Sequence, residues 1–166
     1  MSPRKAALKT ELSALLRRDL AAAESAHRAT VAGATHEEAR PENDKDTRAL
    51  EQSYLARGQA QRVEDLRAAI AEVEALALSG DARTNRVALG ALVRVKEEHE
   101  ERERTLTYWV APQGGGASLE GGKVQVVTPR SPLGKALVGR TAGDECEVVI
   151  AGKARHLEVL GVDEDG

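Results

Sequence analysis

A concentrated cluster of acidic side chains lies between two long helical patterns. Glu37, Glu38, Glu42, Asp44 and Asp46 fall within ten residues, offset only by Arg40 and Lys45. Negative charge just before a helix favours its N-terminal dipole, so a solvated acidic turn is the plainest reading of this cluster. A second string with defined local chemistry is Ser131-Pro132-Leu133-Gly134-Lys135-Ala136-Leu137-Val138-Gly139, followed by Arg140-Thr141-Ala142-Gly143-Asp144-Glu145. Ser131 is a good N-cap. Pro132 sits at the first helical position, where its missing N–H costs nothing, and Gly139 can end the helix in the left-handed conformation.

Other chemistries are absent from the pattern. Gln113 to Gly122 is glycine-rich, yet it lacks the spacing and the Lys-Ser/Thr of a phosphate loop and reads as a hairpin connection. His27, His36, His99 and His156 are scattered, with no helical His-Glu-x-x-His pair and no serine, histidine and acid constellation. Cys146 is the only cysteine, which excludes an intramolecular disulfide and a Cys-based zinc site. In the alternating run Glu145-Cys146-Glu147-Val148 it reads as a small buried apolar residue.

The elements that position these groups follow from periodicity. Residues 4–32 and 45–79 lack proline and are rich in Ala, Leu, Glu and Arg. Leu8, Leu12, Leu15, Leu16 and Leu20 recur at helical steps, as do Leu50, Tyr54, Val63, Leu66, Ile70, Val73 and Leu76. Two narrow stripes on consecutive helices predict an antiparallel helical hairpin, a rod in which a helix of about 28 residues is roughly 42 Å long. Gly33 and Pro41 are expected to interrupt the helices. Arg17, Arg18, Arg28, Arg48, Arg57 and Arg62 read as solvated helix faces, with an RNA-facing side as the other reading.

From Asn85 the period becomes two. Val87 to Val95, Leu106 to Val110, Val124 with Val126, Cys146 to Ile150 and Leu157 to Val162 are expected strands. Ala151-Gly152-Lys153 is a tight turn, and the mixed-charge run Lys96 to Arg104 is expected to be a solvated loop. The fold class is α+β: a helical hairpin over 1–79 with its acidic tip at 33–46, a linker at 80–85, and a small, mainly antiparallel sheet with one helix over 86–166.

Composition narrows the function. Residues 1–80 carry 12 Lys+Arg against 13 Asp+Glu, and residues 81–166 carry 12 against 14, so neither half is a basic module for autonomous DNA binding. The chain has no Phe, one Trp and two Tyr, which disfavours base stacking. No signal peptide or membrane span is apparent, and a cytoplasmic location is expected.

The string Ser131 to Glu145 closely resembles the signature of the C-terminal domain of bacterial Gre transcription elongation factors, and the helical hairpin resembles their other half. The resemblance implies an FKBP-like C-terminal domain docking at the rim of the RNA polymerase secondary channel. It also implies a coiled coil reaching down that channel, whose tip carboxylates help to hold a second Mg²⁺ at the polymerase active site. The polymerase then hydrolyses the 3′ end of backtracked nascent RNA. Such hydrolysis needs the second ion close to the first, and Mg²⁺ takes oxygen ligands while keeping several waters.

The family's tip reads approximately Gly-Asp-Leu-Ser-Glu-Asn-Ala-Glu-Tyr. Glu42-Asn43 matches its Glu-Asn, and Glu51-Gln52 and Gly58 then fall in register without a gap. One catalytic carboxylate therefore carries over to Glu42. The other position is Ala39, preceded by Glu38, and the family's Tyr position is Asp46. The resemblance thus implies a catalytic set of Glu42, Asp44 and Glu38, with Glu42 and Asp44 as the metal ligands and Glu38 or Asp44 replacing the missing acid. Ser131, Pro132, Leu133, Gly134, Lys135 and Arg140 are the expected polymerase-binding residues. No cofactor is expected to be held stably, and the protein, expected to be a monomer, would assist the polymerase's own site rather than act as an enzyme alone. The alternatives are a non-cleaving regulator of the same channel, a shorter-coiled relative that stops short of the active site, a helical interaction protein that oligomerises through its hairpin, and a prolyl isomerase.

Overall fold

A computed structural model describes residues 2–37, 45–78 and 85–164. Its elements are helices α1 (Pro3–Glu37) and α2 (Lys45–Ala75), strands β1 (Leu92–His99), β2 (Arg102–Val110), β3 (Ser118–Leu119) and β4 (Val124–Val127), helix α3 (Pro132–Leu137), and strands β5 (Glu145–Ile150) and β6 (Lys153–Val162). A single 3₁₀ turn, Glu120–Gly122, precedes β4. The α+β class is as expected: a helical pair, then one six-stranded sheet in the order β3-β4-β2-β1-β6-β5. All its pairings are antiparallel except β2 with β4.

The chain divides into two compact units, Ala14–Ala71 and Met1–Ser13 with Glu72–Gly166. In the first, α1 and α2 run antiparallel, with Arg67 of α2 on Glu24 of α1 at 3.3 Å. Leu16, Val63, Leu66, Ala69 and Ile70 are buried there. Two expectations fail in this unit. Gly33 does not interrupt α1, which continues to Glu37. A helical glycine costs only about 1 kcal/mol, and a helix already propagating along a partner absorbs that. Leu50 and Tyr54 are 55% and 60% exposed instead of lying in the buried stripe. Arg67 pairs with Glu24, so in the antiparallel arrangement Leu50 and Tyr54 fall further toward the hairpin end than Ala21 to Ala29. Arg57 lies over the exposed Tyr54 ring, 5.8 Å from its centroid.

In the second unit the sheet is buried on two faces. One face carries Val93 and Val95 of β1, Tyr108 and Val110 of β2, Val148 of β5, and Leu157 and Val159 of β6, with Leu137 of α3 in the same core. The opposite face carries buried Leu92, Trp109, Val124 and Val126. The start of α1 and the end of α2 belong to this unit and supply buried Leu8, Leu12 and Val73, with Leu76 buried just past α2. Polar groups tie these helix ends to the sheet. Lys5, 4% exposed, meets Asp163 at 2.7 Å, and Asp163 also accepts the Leu92 N–H at 2.8 Å. Arg4 forks onto the Glu120 carboxylate at 2.8 and 2.9 Å and holds its pKa down, while the Glu120 N–H donates to the Glu11 carboxylate.

The sheet departs from the sequence reading in two places. β1 starts at Leu92 rather than Val87, because Gly90 turns the chain at φ 90° and leaves Leu89 half exposed. The run Lys96 to Arg104 is not a loop. It forms the paired ends of β1 and β2, closed by the two-residue turn Glu100-Glu101, since His99 pairs with Arg102. Both turn residues are left-handed, at φ 46° and 61°, a geometry that favours Asn-Gly. The β5–β6 turn meets the same demand with Gly152 in its second position, at φ 76°. Glu101→Gly is therefore expected to stabilise the protein by roughly 1 kcal/mol, seen as a higher urea midpoint at unchanged slope.

Candidate functional site

Helix α3 is built by its caps. Ser131, at φ −70° and ψ 157°, is the N-cap, and its Oγ accepts the Gly134 N–H at 3.0 Å. The same hydroxyl donates to the Thr128 carbonyl at 2.8 Å, pulling the preceding turn onto the helix. Pro132 occupies the first turn. Gly134 is buried against Thr128, and a Cβ there would collide with the Thr128 carbonyl oxygen. Leu137 is fully buried and Leu133 packs partly buried on the same core. Pro132, Lys135 and Arg140 are exposed.

Gly139, at φ 89°, ends the turn, and its N–H donates to the Val87 carbonyl at 2.8 Å. The Val87 N–H returns a bond to the Arg140 carbonyl at 2.8 Å, so the segment is clamped on both sides. The Arg140 guanidinium Nε donates to the Ala136 carbonyl at 3.1 Å. Asp144 then closes its own turn by accepting the Thr141 N–H at 2.8 Å and the Thr141 hydroxyl at 3.2 Å. These bonds, the backbone one first, hold its carboxyl below the usual carboxylate range. Burial pushes the Cys146 thiol up, in keeping with a packing role rather than a nucleophilic one. The six residues expected at a docking surface thus come together on one short, rigid segment. Gly134 holds it by close approach, while Pro132, Lys135 and Arg140 face outward.

The other expected set, Glu38, Glu42 and Asp44, lies outside the described residues. Of the residues registered with it, Glu51 is exposed and Gln52 half-buried on α2. Gly58 is exposed, and a Cβ there would meet nothing within 4 Å. Among the described residues no group of His, Cys, Asp or Glu is arranged to hold a metal ion. Tyr108 and Trp109 do point to opposite faces: Tyr108 is in the α3-side core, and the Trp109 indole donates to the Gly90 carbonyl at 3.3 Å on the other. They do not line one aromatic pocket of the kind a prolyl isomerase needs.

The family model for the C-terminal part of GreA/GreB transcription elongation factors matches residues 82–164, the sheet and α3 included. Transcription elongation factor GreA of Rhodospirillum rubrum is 32% identical over 121 residues, 73% of this chain and 71% of that protein. GreA of a Chelativorans species is 35% identical over the same shares. The chain belongs to the GreA/GreB transcription elongation factor family. Among solved structures, GreA factor homolog 1 of Thermus thermophilus is 16% identical with a TM-score of 0.39, covering 92% of this chain and 94% of its own. The GreA/GreB factor of Nitrosomonas europaea is 18% identical with a TM-score of 0.38, covering 60% of this chain and 79% of its own. No described helix of this GreA/GreB-family chain is long and apolar enough to cross a membrane.

Sequence reasoning missed one charged cluster in this family member. Glu97, 2% exposed, lies on the α3 side of the sheet. Its Oε1 accepts Arg104 at 3.2 Å and Arg155 at 3.0 Å, and its Oε2 accepts the Tyr108 hydroxyl at 3.4 Å. The signal was present in the alternation: Val93, Val95 and Glu97 share one face, and so do Tyr108, Leu106 and Arg104. Burial, then the charge of Glu97, pushes the Tyr108 phenol up to about 12. The unfolded tyrosine releases its proton near pH 10 and the folded one only near 12, so this contribution to stability is intact below 10 and lost through that window. An absorbance titration of the Tyr54→Phe protein is expected to give a tyrosine midpoint near 12, moved down by Glu97→Gln. A midpoint near 10 would contradict the placement of the hydroxyl.

Proposed function

We propose that this chain is a secondary-channel factor of bacterial RNA polymerase. Its sheet domain docks through α3, and its helical hairpin carries the acidic tip toward the polymerase active site. The observation that carries the reading is the Ser131–Arg140 segment: a capped helix locked by a glycine that admits no Cβ, presenting Pro132, Lys135 and Arg140. Family membership and the antiparallel helices support it.

At the tip, Glu42 is the principal carboxylate, joined by Asp44, with Glu38 beside the Ala39 position. An all-carboxylate donor set suits Mg²⁺, which prefers oxygen ligands and keeps its waters, so a few acids suffice to share an ion with the polymerase. That ion would supply charge stabilisation and an activated water at the polymerase's own hydrolytic site. The protein's part is delivery of the acids. Ala39 favours a second reading, in which the protein occupies the channel without promoting cleavage.

The test uses stalled, backtracked elongation complexes carrying 3′-labelled RNA, with saturating protein and Mg²⁺. Release of short 3′ fragments, abolished by Glu42→Ala, is the result expected of a cleavage factor. Absence of release with protection against authentic GreA identifies the non-cleaving regulator. Absence of both would sink the proposal.

A further inference from the structure

Strand alternation sorts charge between the faces of the sheet. Glu98, Glu103, Glu145, Glu147 and Glu158 fall on the face opposite α3, moderated by Arg94, Lys96 and His156. Arg102, Arg104 and Arg155 fall on the α3 face, at the end of the sheet away from Gly90. Among the described residues the buried Glu97 carboxylate pairs with both Arg104 and Arg155, a single negative charge against the three cations. Glu100, in the adjoining turn, is engaged by Lys153 at 3.2 Å. The Arg155 Nε is enclosed and meets no acceptor among the described residues. Lys135 and Arg140 add charge at the α3 end, where Asp144 is held by Thr141. Half-buried Leu106, Cys146 and Ile150 lie on the same face.

We propose that the α3 face docks an acidic amphipathic segment of its protein partner, carboxylates meeting Arg102, Arg104 and Arg155 and apolar side chains covering Leu106 and Ile150. Resting on the functional reading above, that partner is the polymerase. Charge complementarity selects the occupant. Arg104 and Arg155 are held in place by Glu97, so their remaining donors are preorganised for a carboxylate. A phosphate backbone is disfavoured, because an apolar strip accompanies the cations and the chain's net charge is −3.

The test measures binding of the labelled full chain to bacterial core RNA polymerase across a salt series, with folding verified by circular dichroism. Arg102→Glu combined with Arg104→Gln is expected to weaken binding at least about tenfold and flatten its salt dependence. Glu147→Lys, on the opposite face, is expected to stay within about twofold. Wild-type affinity in the double variant overturns the docking surface while leaving the functional reading intact. Failure of the unmodified chain to bind polymerase overturns both. A salt-sensitive dimer in sedimentation, abolished by Arg102→Glu, would instead assign the face to the acidic side of a second copy and overturn the proposal.

Discussion

Glu97→Ala is expected to destabilise the protein by about 3 kcal/mol, within the range for removing one partner of a buried ion pair. The carboxylate is 2% exposed and receives two guanidiniums and a phenol. Without it, Arg155 keeps a charge at the core's edge, its Nε already without an acceptor among the described residues. Arg104, 59% exposed, can turn to water, which places the value at the lower end of that range. Glu97→Gln retains the shape and one acceptor and should cost less. Urea unfolding gives the comparison directly. A loss below about 1 kcal/mol for Glu97→Ala would mean that the cluster is solvated rather than buried.

Gly134→Ala should be the most damaging methyl that can be added to the sheet domain. The new Cβ would overlap the Thr128 carbonyl oxygen and crowd Pro129 Cα, and both obstacles are backbone. The turn must open, breaking the bond from Gly134 N–H to Ser131 Oγ and the one from Ser131 Oγ to the Thr128 carbonyl. A cost of about 2–3 kcal/mol follows. Gly139→Ala is the control. Its φ is 89° but nothing lies within 4 Å of the added carbon, so only backbone strain of roughly 1 kcal/mol is expected. Thermal unfolding should rank the two, and polymerase affinity should fall further for Gly134→Ala. Equal effects would mean that close approach to Thr128 does not shape α3.

What was legible in the sequence was local. Ser131, Pro132 and Gly139 specify their helix through short-range caps, and α3 forms where they place it. The leucine stripe of α1 reports a real partner as far as Leu16, which is buried. Beyond that point the reading failed at Leu50 and Tyr54, because a periodic stripe on one helix does not reveal where along its length the partner covers it. The Lys96–Arg104 run failed for a related reason. Charged residues read as solvated, yet strand pairing puts every second one on a face, and the buried Glu97 depends on Arg155 from a strand far along the chain. Gly33 failed because pairing outweighs propensity. The tip acids Glu38, Glu42 and Asp44 were legible only through resemblance, in a segment outside the described residues.

The most direct test of the account is competition for a single site. Backtracked bacterial elongation complexes would be challenged with a fixed amount of authentic GreA and increasing amounts of this chain carrying Glu42→Ala. The account predicts a graded loss of GreA-dependent 3′-fragment release, restored when Gly134→Ala is introduced into the competitor. Undiminished GreA activity at saturating competitor would contradict it, because a protein of this kind could not then share the channel.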